Sequence, residues 1–102
     1  MKKIAKLSEI KVGEIKPFDF DGEKIIIINC GKEIVALSGI CPHADAPLEE
    51  GYLDKECSTI ECPWHNNIFD LSNGDSIEGP SYEGLTKFDV KIIDDQIYIG
   101  LK

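Results

Sequence analysis

The sequence predicts an all-β fold, a small antiparallel sandwich or barrel, on three observations. Its 102 residues suffice for one domain with one modest core. Short β-branched runs recur along it, rich in isoleucine, which suits a pleated, half-buried surface. Pairs such as Asp21-Gly22 and Gly31-Lys32 separate these runs as hairpin turns do.

The elements follow in order. Ser8-Glu9-Ile10 is expected to form one helical turn. Glu14–Phe20, Lys24–Cys30 and Glu33–Leu37 read as strands, with Pro17 tolerated because the first of them lies at an edge. Ser58–Glu61 and Asn67–Leu71 read as two further strands, and Gly74 sits in a hairpin-like Ser-Asn-Gly-Asp turn. Lys87–Ile93 and Gln96–Leu101 form a last hairpin about Asp94-Asp95, with Ile97, Ile99 and Leu101 alternating. No internal repeat, low-complexity segment or interdomain linker interrupts the chain.

Chemistry is concentrated in two short motifs, Cys41-Pro42-His43 and Cys62-Pro63-Trp64-His65, which contain both histidines of the chain. Each places a thiolate and an imidazole within one turn of backbone. Together they make a four-ligand set for a soft or borderline metal. Two such turns facing each other suit a dinuclear centre, thiolates on one metal and imidazoles on the other. The same residues also suit one tetrahedral zinc ion, although Cys₂His₂ zinc sites ordinarily pair Cys with Cys and His with His. Disulfide pairing of the cysteines is the remaining reading, and no secretory context supports it.

With these motifs, Phe69-Asp70, Gly74 and Gly79-Pro80, the chain resembles the Rieske-type ferredoxins over most of its length. The resemblance implies one [2Fe–2S] cluster in which His₂ replaces Cys₂ on one iron. It assigns Cys41 and Cys62 to the inner iron and His43 and His65 to the outer, more exposed iron. It also implies a single domain, 1–102, whose outer strands form a base. Residues about 39–70 are inserted as a cluster-binding subdomain, and Gly79-Pro80 is a third loop over the cluster. Pro42 and Pro63 restrict the backbone beside the ligands.

Two departures place the chain in the soluble, low-potential branch. Membrane-complex Rieske proteins carry a serine and a tyrosine hydroxyl after the second histidine, where this chain has Asn67 and Phe69. They also carry a disulfide between the ligand loops, where this chain has Ala46 and Trp64. Neutral imidazoles raise the potential above that of all-cysteine clusters, within a range of roughly −150 to +300 mV. Fewer hydrogen bonds to sulfur imply the negative end of it. Loss of the imidazole protons should lower the potential further in alkali.

Charge narrows the partners. Eleven lysines, no arginine and 19 acidic residues give a formal charge of −8. That excludes the basic footprint of a nucleic-acid binder and suits docking to basic surfaces of redox proteins. The acidic Glu49, Glu50, Asp54 and Glu56 are either a solvated loop or part of such a docking face, and Asp45 stands near His43. No apolar run exceeds the four residues of Ile25–Ile28, far short of a membrane span. No signal-length apolar region follows the basic N-terminus. The expected location is cytoplasmic, where Cys30 and Cys57 would be reduced thiols: Cys30 at a strand end, Cys57 on the surface. Trp64 has three candidate roles, which are packing, shielding the cluster or meeting a partner.

The expected function is one-electron transfer, with no substrate of the protein's own, from a flavin-type reductase to a terminal oxygenase or similar acceptor. An oxygenase would need a further iron on two histidines and a carboxylate, and both histidines are already committed. The alternatives are a small subunit of a nitrite reductase-like complex and a zinc-binding interaction module.

Overall fold

A computed structural model describes residues 1–42, 45–64, 66–79 and 83–101. Six strands form the base: β1 (Lys2–Lys6), β2 (Ile15–Phe20), β3 (Glu23–Asn29), β4 (Ile34–Ser38), and the last two of the chain. Four shorter strands intervene: β5 (Tyr52–Leu53), β6 (Thr59–Glu61), β7 (Ile68–Asp70) and β8 (Ser76–Glu78). The final hairpin is β9 (Lys87–Ile93) and β10 (Gln96–Gly100). The base sheet runs β1-β10-β9-β4-β3-β2 and the second sheet β5-β6-β7-β8, with every pairing antiparallel.

The base curls into a near-barrel as its two edges, β1 and β2, approach. Lys2 Nζ reaches Asp21 Oδ1 across that gap at 2.7 Å. Two-residue turns close the tight hairpins. Asp21 and Gly22 join β2 to β3 at φ +51° and +88°, and Asp94 and Asp95 join β9 to β10 at +49° and +62°. Such positive φ values match the twist of the flanking strands, and Asp and Gly tolerate them. Pro17 lies in edge strand β2, where its missing N–H costs no ladder bond.

The run Ile25–Ile28 explains the architecture. All four side chains are buried, so β3 is covered on both faces. Ile25 and Ile27 pack inside the base with Phe20, Ala36, Phe88, Ile97 and Ile99. Phe20 and Phe88 meet edge to face at 5.6 Å. Ile26 and Ile28, with Val35 and Leu37, turn the other way and meet Leu48, Ile60, Phe69, Leu71 and Leu85 of the second unit. The middle of the chain is therefore held against the wall formed by β3 and β4, on an apolar core of its own.

Strands β1, β5 and β8 were not foreseen. All three lie at sheet edges; β1 and β8 hold few apolar residues, and β5 is two residues long. The short 3₁₀ turn Leu7–Glu9 falls one residue before the expected turn, and a second, Leu48–Glu50, was not expected. Leu101 does not continue the β10 alternation. It lies past the last strand and is exposed.

The expectation that Cys30 and Cys57 are reduced thiols is corrected. They form a disulfide with Cα atoms 5.7 Å apart. Cys30 directly follows β3 of the base and Cys57 lies in the β5–β6 loop of the second unit. Only the packing of one sheet on the other brings these residues together, which is why their separation of 27 residues concealed the pairing.

Candidate metal centre

Two loops of the second unit carry the predicted ligands. The first follows β4 and is pinned by an isolated bridge between Ile40 and Pro47. The second is the β6–β7 hairpin loop. Among the described residues, both loops close in the same way. In the first, the Cys41 N–H donates to the Ala46 carbonyl at 3.1 Å. In the second, the Cys62 N–H donates to the Asn67 carbonyl at 2.7 Å. Both are bonds from a cysteine to the fifth residue after it. In both, the fourth residue is left-handed: Asp45 at φ +52° and Asn66 at φ +55°. Asp and Asn are the side chains best suited to that conformation. Each cysteine is also followed by proline. The likeness is too short to register as a sequence repeat. The signal was Cys-Pro with Asp or Asn at +4, present twice.

The two loops face each other. Cys41 and Cys62 are both fully buried, in the same apolar core as Leu48, Ile60 and Phe69. Burial pushes the Cys62 thiol up to about 11, the Trp64 main-chain N–H pulls it down, and the Cys41 thiol beside it raises it further. Shut away from water, the two neighbouring thiols stay protonated. A metal that takes both as thiolates supplies the positive charge that burial withholds and displaces their protons. The donor set therefore fits half of a thiolate–imidazole centre. His43 and His65 lie outside the described residues, as does Pro80 of the expected third loop.

Supporting contacts fix the loops from several sides. Lys24 of β3 reaches both carboxylate oxygens of Glu49, at 2.7 and 2.8 Å, tying the base to the turn after the first ligand loop. Asn67 is fully buried, and its amide nitrogen donates to Ser76 Oγ of β8 at 3.0 Å. Gly79 packs directly on Asn67, so the third loop begins against the second ligand loop. Gly74 closes the β7–β8 turn at φ +83°, where a Cβ would strike the Leu85 carbonyl.

The surface around the centre has its own character. Trp64 is half exposed beside buried Cys62, and Ile40 is exposed beside buried Cys41. Packing inside a core is thus not the role of Trp64. Residues 41–86 hold 10 of the 19 acidic side chains and one lysine, Lys55, while the remaining positions are nearly balanced. The negative charge belongs to the unit that carries the predicted ligands.

A curved antiparallel base bearing a smaller sheet, with two Cys-Pro loops face to face at its tip, defines an iron–sulfur protein of the Rieske class. The family model for the Rieske [2Fe-2S] domain matches residues 1–89. The chain belongs to that family, and the cofactor of the family is one [2Fe–2S] cluster. It is 30% identical over 95 residues to the ferredoxin component of the naphthalene 1,2-dioxygenase system of Pseudomonas putida, covering 93% of this chain and 89% of that one. It is also 30% identical to apoptosis-inducing factor 3 of Homo sapiens over 94% of this chain, but it spans 16% of the length of that larger protein. Among solved structures, the ferredoxin of carbazole 1,9a-dioxygenase from Nocardioides aromaticivorans IC177 superposes over the whole of both chains, with a TM-score of 0.91 and 30% identity. A complex of reduced oxygenase and oxidized ferredoxin in carbazole 1,9a-dioxygenase matches at a TM-score of 0.85 and 28% identity, covering 95% of this chain and 89% of that one. The dioxygenase relatives are named as the ferredoxin components of their systems.

Proposed function

We propose that this protein is the ferredoxin of a multicomponent oxidoreductase, taking single electrons from a flavin-type reductase and delivering them to a terminal oxygenase or similar acceptor. The observation that carries this reading is the pair of similarly closed loops that presses two buried thiols together beneath an exposed, acidic tip. Cys41 and Cys62 would hold one iron, and His43 and His65 the other. When bound, such a cluster supplies a reversible one-electron couple. The chain's own residues do the rest. The apolar core shields the thiolates from water, the Trp64 N–H is directed at the Cys62 sulfur, and the loop hydrogen bonds hold both cysteines in place.

Exposed Ile40 and Trp64 flank the loops and give a partner apolar contact at the centre of an acidic face. That combination suits a redox partner with a basic rim, where charge steers the encounter and a brief complex suffices. A carrier of this kind would work in the cytoplasm as a single Rieske domain over residues 1–102, with its cluster-binding subdomain at about 39–70. Among the described residues no helix is long and apolar enough to cross a membrane.

The test is a redox titration coupled to electron delivery. A midpoint near the negative end of the Rieske range, with rapid oxidation by a ring-hydroxylating oxygenase, supports the proposal. A clearly positive midpoint, or no oxidation by any such acceptor, contradicts it. His43→Ala and His65→Ala should each abolish the cluster signal, and retention of an unaltered signal by either variant would refute the ligand assignment.

A further inference from the structure

We propose that Cys30 and Cys57 form a reducible two-electron switch that sets how firmly the ligand-bearing unit is held to the base. The proposal rests on the cluster assignment above in one respect, its effect on cluster retention. The bridge itself stands on separate observations.

The first observation is placement. The disulfide is the only covalent tie between the two sheets apart from the continuous chain, among the described residues. Its base end, Cys30, follows buried Asn29, whose side chain is fixed by Ile10 and Gly31 at 2.8 Å each. Its other end, Cys57, is in a loop at φ +54°, a conformation that costs a non-glycine residue free energy and so needs restraint. Apart from the bridge, that restraint comes from Asp54. Its carbonyl accepts the Cys57 N–H at 3.1 Å, and its carboxylate accepts Ser58 N–H, Ser58 Oγ–H and Thr59 N–H at 2.7, 2.6 and 2.9 Å.

The second observation is coupling to the centre. Both cysteines pack against the core that contains Cys41 and Cys62. Strand β6 begins two residues after Cys57 and leads directly to Cys62 through buried Ile60. Whatever frees the Cys57 loop therefore loosens the strand that delivers an inner ligand.

The third observation is access. Both cysteines are only partly buried. They line a shallow cavity of about 180 Å³ together with Val12, Asn29, Leu53 and Lys55. A dithiol reductant can approach there without unfolding the protein. One of its thiolates attacks a bridge sulfur, breaking the S–S bond and forming a mixed disulfide, and its second thiol releases the protein. The reductant leaves as its own disulfide, having supplied two electrons, and two protons end on Cys30 and Cys57. In a reducing compartment a bridge of this kind persists only if it is cycled.

The experiment equilibrates the anaerobically purified holoprotein in oxidised or reduced dithiothreitol. Alkylatable thiols are counted by mass spectrometry after denaturation, and bleaching of the visible absorption by an iron chelator is timed. The expected counts are two thiols oxidised and four reduced. Bleaching should be at least about fivefold faster in the reduced sample, the effect of about 1 kcal/mol on a local opening. The Cys30→Ser/Cys57→Ser variant should bleach at the fast rate in both buffers, which also shows that the dithiol does not strip iron by itself. Four thiols in the oxidised sample, a bridge that excess dithiol cannot open in the folded protein, or equal bleaching rates would each overturn the proposal. If the double variant does not fold, the titration of the parent still decides. If the protein contains no iron, the cluster assignment fails, while the thiol counts still report on the bridge.

Discussion

Gly79 stands so close to Asn67 that a Cβ at position 79 would lie 2.6 Å from the Asn67 Cα. Its φ of +122° also lies where side chains are rarely tolerated. The third loop thus begins by pressing glycine backbone onto the residue whose carbonyl closes the second ligand loop. Gly79→Ala should destabilise the protein by about 2 kcal/mol or more. It should also release the cluster faster than the parent does. An unchanged thermal midpoint together with unchanged cluster retention would show that this contact does not support the ligand loop.

Retention of the centre should depend on pH with a defined sign. The metal-free Cys62 thiol is pushed up to about 11, chiefly by burial. At neutral pH any metal on it must compete with a proton, and each unit of acidification strengthens that competition about tenfold per thiol. Bleaching by a chelator should accelerate steadily as pH falls from 8 to 5. The metal-free fold has the opposite dependence. The thiol's folded value is raised, so its contribution is complete below the ordinary thiol range and is lost as pH rises through about 11. Bleaching that is flat across the acid range would contradict the burial argument.

Asp54 organises the loop that carries Cys57. Hydrogen bonds from Ser58 first, then Thr59, hold its carboxyl down at about 2. A depressed carboxyl contributes stability above its unfolded value, about 3.9, and loses that contribution as pH falls toward 2. Because the side chain is exposed, Asp54→Asn should cost only about 1 kcal/mol. Thermal unfolding should show a constant gap to the parent from pH 9 to about 5, closing below about 4. A gap that persists at low pH would mean that the loss is not ionic.

Electron transfer to a partner should slow as salt increases. Ten acidic side chains against one lysine in residues 41–86 give a field that is screened over about 8 Å at physiological ionic strength. Stopped-flow oxidation should slow severalfold between low and physiological salt. Glu50→Lys, at an exposed position, should slow it at low salt while leaving the potential unchanged. A salt-independent rate would assign the acidity to solubility alone.

How much of this could be read from the chain depends on where each feature is encoded. The isoleucine strands and the Asp-Gly turn are local, and each was legible, as was the burial of Cys41 and Cys62 side by side in the facing Cys-Pro loops. Strands β5 and β8 were not, because two or three residues at a sheet edge leave no periodicity to detect. The burial of Ile25–Ile28 on both faces is written in their continuity, but which face meets which sheet depends on the tertiary packing. The Cys30–Cys57 bridge failed for the same reason: it is set by one sheet lying on another. The likeness of the two loops failed differently. Their signal was present at Cys41 and Asp45 and again at Cys62 and Asn66, too short to register as a repeat.

The measurement that bears most directly on the central claim is electron paramagnetic resonance of anaerobically purified protein before and after dithionite, with iron and zinc analysis of the same sample. The account predicts a rhombic signal that appears only on reduction, with two irons per chain. A protein that stays silent on reduction and contains one zinc ion would contradict it, and would leave a structural metal site where an electron carrier is proposed.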